Sequence, residues 1–275
     1  MSVGKNGSRC LTAEPDRNRD VQTQIIKVEK KSGFAIVTMD RPREMNALSE
    51  AMLSGLESAF TLLERDDDVR AVILTGGKMI FAAGMDVKEM ASLPEDRIDD
   101  YFKSIASCLK KIFTFKKPVI AGVGGIALGG GFNVAVVCDW IIASEAAIFG
   151  HPELKFGLNP LFTPLSNRVG TAKAKEIAML GEPIGAKEAL RIGLANKVAP
   201  PERFMMEAEI MAGELAKRSP KALEAVKKIS DVAPRMDKGA MLDFEYDVCA
   251  RLFSRPERKL HMQKFLAELK QRKKE

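Results

Sequence analysis

The chain is poor in the residues that mark a metal centre, a disulfide framework or a base-stacking surface. Its 275 residues include two histidines, His151 and His261, and four cysteines, Cys10, Cys108, Cys138 and Cys249, with no paired spacing. That pattern leaves no zinc cluster and points to reduced thiols in an intracellular, cytoplasmic setting. One Trp and two Tyr do not furnish an aromatic platform for nucleic-acid bases. No segment approaches the roughly 18 consecutive apolar residues of a membrane span. Residues 1–20 lack an apolar core and mix Arg9, Arg17 and Arg19 with Glu14, Asp16 and Asp20, so they fit neither a signal nor a transit peptide. They are expected to form a disordered leader.

What is present is ordinary for a folded protein. A hydrophobic content of 46% supports a substantial core, either one large domain or a domain with an appendage. Forty-three Lys and Arg against 37 Asp and Glu give a net charge of +6. Much of it lies in the last segment, KFLAELKQRKKE, read here as a solvated helix face. The excess suits an anionic small molecule as readily as a nucleic acid.

Along the chain, QIIKVEK (24–30) and FAIVTMD (34–40) flank a short turn at Gly33 and read as a hairpin. Ser49 is placed to cap a helix through about residue 64, with Leu53, Leu56, Phe60 and Leu63 on one face. A strand (VRAVILTG), a helix over about 95–113 and a second strand (PVIAGVGG) follow. After them come a glycine run, a buried apolar segment ending at Asp139 and the strand WIIAS (140–144). From Thr171 onward the pattern is almost purely helical. The expected division is a core over 21–200 and a helical region over 201–275.

The stretch ALGGGFNVAVVCD (127–139) places three glycines where a buried helix begins. GVGGIA (122–127) matches G-x-G-x-x-A after a strand and so permits a dinucleotide fingerprint. The helix of such a unit would have to run through Gly129, Gly130 and Gly131, at roughly 1 kcal/mol per glycine relative to alanine. A second reading is close packing of backbone segments. A third is a helix N-terminus whose bare N–H groups meet a ligand, the missing Cβ atoms allowing its approach. One N–H makes a poor oxyanion hole, so the third reading requires a second such turn. GGKMIFAAGMDVKEM (76–90) supplies one, with small residues at 82–84 and Asp86 placed to cap the helix that follows.

FAAGMDVKEM, together with RPREMNAL (41–48), ALGGGFN and FGHPELKFGL (149–158) in this order, resembles the crotonase (enoyl-CoA hydratase/isomerase) superfamily. The resemblance runs from about Ile25 to the C-terminal helices. It implies an α/β fold, a spiral of strand-strand-helix turns, with a C-terminal helical region that mediates trimer or hexamer formation. It implies an acyl-CoA thioester as substrate, with coenzyme A part of the substrate and no separate cofactor or metal. By position, the backbone N–H groups of Met85 and Gly130 form the oxyanion hole. Arg43, Met45, Ala83 and Lys88 fall where the family contacts CoA, the basic pair being either phosphate contacts or exposed, solvated charges. Phe265 matches an aromatic position near the adenine in a neighbouring subunit, although RPERKLHMQKF departs from the usual pattern.

Family hydratases use two glutamates. Here Glu153, in Pro152-Glu153, matches the second, while Asn133 stands at the first. An amide holds water or a hydroxyl but exchanges no proton near neutral pH. One carboxylate is left to move protons, which resembles the single-glutamate enoyl-CoA isomerases and makes a double-bond shift the expected reaction. Leu161 and Phe162 replace the usual glycine-rich turn and either shape a dry acyl pocket or belong to the core. His151 matches no family catalytic position and is read as structural. The alternatives are hydration of an enoyl- or dienoyl-CoA with Asn133 positioning water, another crotonase reaction such as thioester or carbon-carbon cleavage, and a non-catalytic or nucleic-acid-binding protein of this fold. Retention of Glu153 and both glycine turns argues against the last.

Overall fold

A computed structural model of the chain describes residues 25–272. The expected leader and Cys10 lie outside the described residues. The first half runs β1 (Ile26–Lys30), β2 (Phe34–Met39), α1 (Glu50–Arg65), β3 (Ala71–Thr75), β4 (Ile80–Ala82), α2 (Val87–Ala91), α3 (Ile98–Phe113), β5 (Val119–Val123), β6 (Ile126–Leu128) and α4 (Gly130–Val137). Then follow β7 (Trp140–Ser144), β8 (Ile148–Gly150), α5 (Phe162–Val169), α6 (Thr171–Leu180), β9 (Ile184–Gly185), α7 (Ala186–Arg191) and β10 (Lys197–Ala199). Four helices close the chain: α8 (Phe204–Ala216), α9 (Pro220–Val232), α10 (Lys238–Phe253) and α11 (Arg258–Arg272).

The hairpin forms as expected, β1 pairing antiparallel with β2 from Ile26↔Met39 to Lys30↔Ala35. From β2 onward the larger sheet is parallel, in the order β1-β2-β3-β5-β7-β10. β3 and β5 are buried at every position, as parallel strands covered on both faces must be. Each of three successive turns of chain adds one strand to this sheet (β3, β5, β7) and then a short one (β4, β6, β8) to a second sheet. That smaller sheet has the order β4-β6-β8-β9, with β9 antiparallel at its edge. The result is the α/β spiral of strand-strand-helix turns. Because Ile126–Leu128 form a strand, the helix a dinucleotide fingerprint requires is absent there, and that reading fails.

Alternation along β2 separates two cores. Ala35, Val37 and Met39 face a cluster with Leu53, Leu56 and Phe60 of α1, while Phe34 and Ile36 face Ala208 and Ala212 of α8. α1 carries the predicted stripe, and the Ser49 hydroxyl accepts from the Met52 N–H at 3.2 Å. α4 is apolar and buried around nearly its whole circumference, as a helix at the centre of a core must be. α8 packs on β3, β5 and β7. A boundary at residue 200 therefore falls ahead of a helix that closes the core, because the small residues of α8 let it lie directly on the sheet. α9 and α10 contain no buried residue. Among the described residues no helix is long and apolar enough to cross a membrane.

Candidate active site

Two loops distant in sequence are zipped together at one end of the smaller sheet. The Ala83 N–H donates to the Met45 carbonyl at 3.0 Å, Leu48 N–H to Gly84 at 2.8 Å and Asp86 N–H to Leu48 at 3.4 Å. Asn46, fully buried with φ 52, anchors the first loop. Its Nδ2 lies 3.1, 3.1 and 3.2 Å from the carbonyls of Gly76, Ile80 and Phe81, and its Oδ1 accepts from the Arg41 N–H at 2.8 Å. Asp86 anchors the second loop. One carboxylate oxygen caps α2 by accepting from the Lys88 and Glu89 N–H groups, and the other accepts from Arg41 Nη1 at 2.8 Å. Burial opposes the charge on Asp86, but the Arg41 guanidinium and the two cap N–H groups outweigh it and hold the carboxyl below the ordinary aspartate value.

The glycine run abuts this pair of loops. Gly84 has φ 120, and a Cβ added there would stand 3.7 Å from the Gly130 nitrogen. Gly130 is the first residue of α4, so its N–H has no partner within the helix. Neither it nor the Met85 N–H donates to a loop or cap carbonyl among the described residues. Gly131 packs so closely that a Cβ would lie 2.1 Å from the Ala82 carbonyl oxygen. Two of the glycines therefore divide their work: Gly131 serves backbone contact, while Gly130 borders an open space and a Cβ there would meet only the flexible ends of Met85 and Leu48.

That space is a cavity of about 520 Å³. Its floor carries Met85, Gly130, Asn133 and Glu153, and its walls are Phe102, Ile105 and Leu109 of α3 with Leu158, Leu161 and Pro164. Gly130, Asn133 and Val137 reach it together because three- and four-residue steps share a helix face. Asn133 Oδ1 is buried with no hydrogen-bond partner among the described residues. Glu153 arrives through β8: the Gly129 N–H donates to the Gly150 carbonyl at 2.9 Å, which seats the end of that strand on the glycine turn three residues ahead of the carboxylate. Glu153 Oε1 then lies 3.5 Å from where a Cβ on Gly129 would stand. His151 is wholly buried, its Nδ1 3.2 and 3.3 Å from the two Glu153 oxygens.

A family model described as enoyl-CoA hydratase/isomerase matches residues 29–274. The chain belongs to that family. It is 36% identical over 243 residues to a probable mitochondrial enoyl-CoA hydratase of Dictyostelium discoideum, covering 86% of each chain. It is also 36% identical over 247 residues to the short-chain-enoyl-CoA hydratase of Clostridium acetobutylicum, covering 88% of this chain and 95% of that one. The crystal structure of an enoyl-CoA hydratase from Bacillus anthracis superposes with a TM-score of 0.85 at 30% identity, covering 89% of this chain and 97% of that one. These names say hydratase, which leans against the expected preference for isomerisation.

The fold brings most of the residues singled out in this enoyl-CoA hydratase/isomerase family member into one place. Met85, Gly130, Asn133, Glu153 and Leu161 share the cavity. Arg43 and Met45 are exposed on the first of the zipped loops and Lys88 in the first turn of α2, while Ala83 on the second loop is half-buried. Phe162 is not part of the cavity lining and packs against the main core. Phe265 is 53% exposed and lines a separate, basic cavity with Arg70, Lys217 and Arg218. The Arg41–Asp86 pair and the Asn46 anchor were missed. Arg41 and Asn46 both lie in the RPREMNAL motif, but nothing local marks their partners, 30 to 45 residues along the chain.

Proposed function

We propose that this protein binds an acyl-CoA thioester, stabilises its enolate through the Met85 and Gly130 N–H groups, and moves a proton with Glu153. The observation that carries the reading is the make-up of the cavity lining: among the described residues Glu153 is its one carboxylate, and it shares the cavity with the Asn133 amide. Backbone donors aimed at developing negative charge are the usual means of lowering an enolate barrier. Glu153 would take the C2 proton of a 3-enoyl thioester, the charge would spread over the dienolate, and the same proton would return at C4 to leave the conjugated 2-enoyl product. The walls, apolar apart from Lys110 and Asn159, would favour this reaction by limiting water around the intermediate. Arg43, Met45, Ala83 and Lys88 would hold the CoA moiety and Leu161 the acyl chain. No cofactor or metal takes part.

Hydration is the second reading, favoured by the relatives' names and by the unpartnered Asn133 oxygen, which suits an ordered water. The water oxygen would attack C3 as Glu153 takes one of the water's protons, and Glu153 would then return that proton to C2 of the enolate. A panel of 3-enoyl, 2-enoyl and dienoyl thioesters separates the two. Isomerisation changes the ultraviolet absorbance at constant mass, and hydration adds the mass of water. Glu153→Gln is expected to lower either activity by at least about 100-fold. Asn133→Ala should be mild for isomerisation and severe for hydration. Inactivity of the parent on the whole panel, or near-parental rates in Glu153→Gln, would overturn the reading.

A further inference from the structure

We infer that His151 is a positioning residue for Glu153, donating its Nδ1–H to both carboxylate oxygens and turning them toward the glycine turn. The inference rests on the proposed role of Glu153 as proton carrier. Three observations support it. His151 has no exposed surface, its Nδ1 is almost equidistant from the two Glu153 oxygens, and no other side chain among the described residues hydrogen-bonds that carboxylate. Its Nε2 is buried without a hydrogen-bond partner among the described residues.

The tautomer follows from this environment. A neutral imidazole carries one N–H. Placed on Nε2, the proton would have no acceptor, and the Nδ1 lone pair would face a carboxylate. Placed on Nδ1, it makes a charge-assisted hydrogen bond and leaves only one weakly costly orphan, the Nε2 lone pair. The ring itself is held by Phe132, the residue beside Asn133, with centroids 4.6 Å apart, and Phe132 is in turn packed on Phe149 at 5.6 Å. The carboxylate is thus gripped between the imidazole on one side and the Gly129 turn on the other. The group that moves the proton and the N–H that stabilises the enolate are referenced to the same three glycines.

The test compares His151→Asn with His151→Leu. An asparagine amide nitrogen comes close to the position of Nδ1 and can donate to Glu153, whereas leucine fills the space without donating. In His151→Leu, kcat is expected to fall on the order of 10- to 100-fold, as loss of a hydrogen bond to a charged group implies, with KM for the thioester little changed. His151→Asn should recover most of that loss. Thermal stability should rank the other way, because leucine fills the apolar site better than asparagine. A merely structural histidine would give the same ranking in both measurements, and that outcome, or parental kcat in His151→Leu, would overturn the inference. Should neither variant fold, nitrogen-15 histidine spectra of the full parent chain decide: the chain has only two histidines, and a proton found on Nε2 of His151 instead of Nδ1 would refute it. Glu153→Gln should shift the Nδ1 resonance whether or not Glu153 is the proton carrier, so failure of the function and failure of this contact are distinguishable.

Discussion

The floor and the roof of the cavity are built by different means. On the floor, Met85, Gly130 and Glu153 are located by backbone hydrogen bonds, by the buried Asn46 and Asp86 anchors, and by glycine contacts too close for a side chain. The roof is the apolar face of α3 with residues 158–164, and Phe102 and Phe113 there remain 42% and 37% exposed. Backbone contacts of the first kind permit little movement, whereas long apolar side chains repack at small cost. Stabilising a developing charge demands fixed donors. Accepting acyl chains of differing length does not. Under the proposed function, the contrast would give the chemistry to the floor and the choice of chain to the roof.

The largest effects should come from the glycines, and two neighbours should fail differently. A Cβ at residue 131 would meet backbone at 2.1 Å, but at residue 130 it would press on the flexible ends of Met85 and Leu48 at 3.0 and 3.1 Å. Gly131→Ala is expected to abolish the soluble folded protein, as judged by its thermal unfolding. Gly130→Val should fold, keep most of its CoA affinity and lose turnover by about 100- to 1000-fold. Equal turnover in Gly130→Val and parent would mean that the floor is packing alone.

A roof substitution should be gentler and selective. Leu161→Ala removes an apolar contact from the cavity wall, so KM should rise by about 10-fold for the longest acyl thioester the parent accepts. Short substrates should be turned over at parental rates. A uniform loss of kcat across chain lengths would place Leu161 with the floor.

The smallest effect concerns the anchor beneath the floor. Since Asp86 has a folded-state value below the ordinary one, its contribution to stability is fully present above the unfolded value of about 3.9 and is lost as pH falls through the folded one. Arg41→Met removes the ion pair, so the variant should melt a few degrees below the parent at neutral pH. The gap should close as pH falls below about 3.9. A gap that persists into acid would assign the loss to packing of the Arg41 stem.

Much of the fold around this cavity is legible in the sequence, and for local reasons. Asp86 and Ser49 cap the helices they precede, and the six buried residues of α1 follow a three- and four-residue period. β4, β6, β8, β9 and β10 were not legible, since two or three residues hold no periodic signal. α8 was assigned to the helical region because its own pattern says only that it is a helix. Its place on the sheet depends on how closely Ala208 and Ala212 let it approach.

The sequence by itself determined the family, the two glycine-marked turns, and the glutamate of Pro152-Glu153 with Asn133 upstream of it, because each is a matter of residue type at a fixed spacing along the chain. Tertiary structure decided the rest. It set Asn46 on three carbonyls 30 to 35 residues away and Arg41 on Asp86, and it separated Leu161, on the cavity, from Phe162, in the core. It also gave His151 a task that its neighbours in the chain do not reveal. A histidine and a glutamate with one residue between them need not touch. Here the imidazole faces the carboxylate because Phe132, itself packed on Phe149, holds the ring from one side and burial leaves it no solvent on the other.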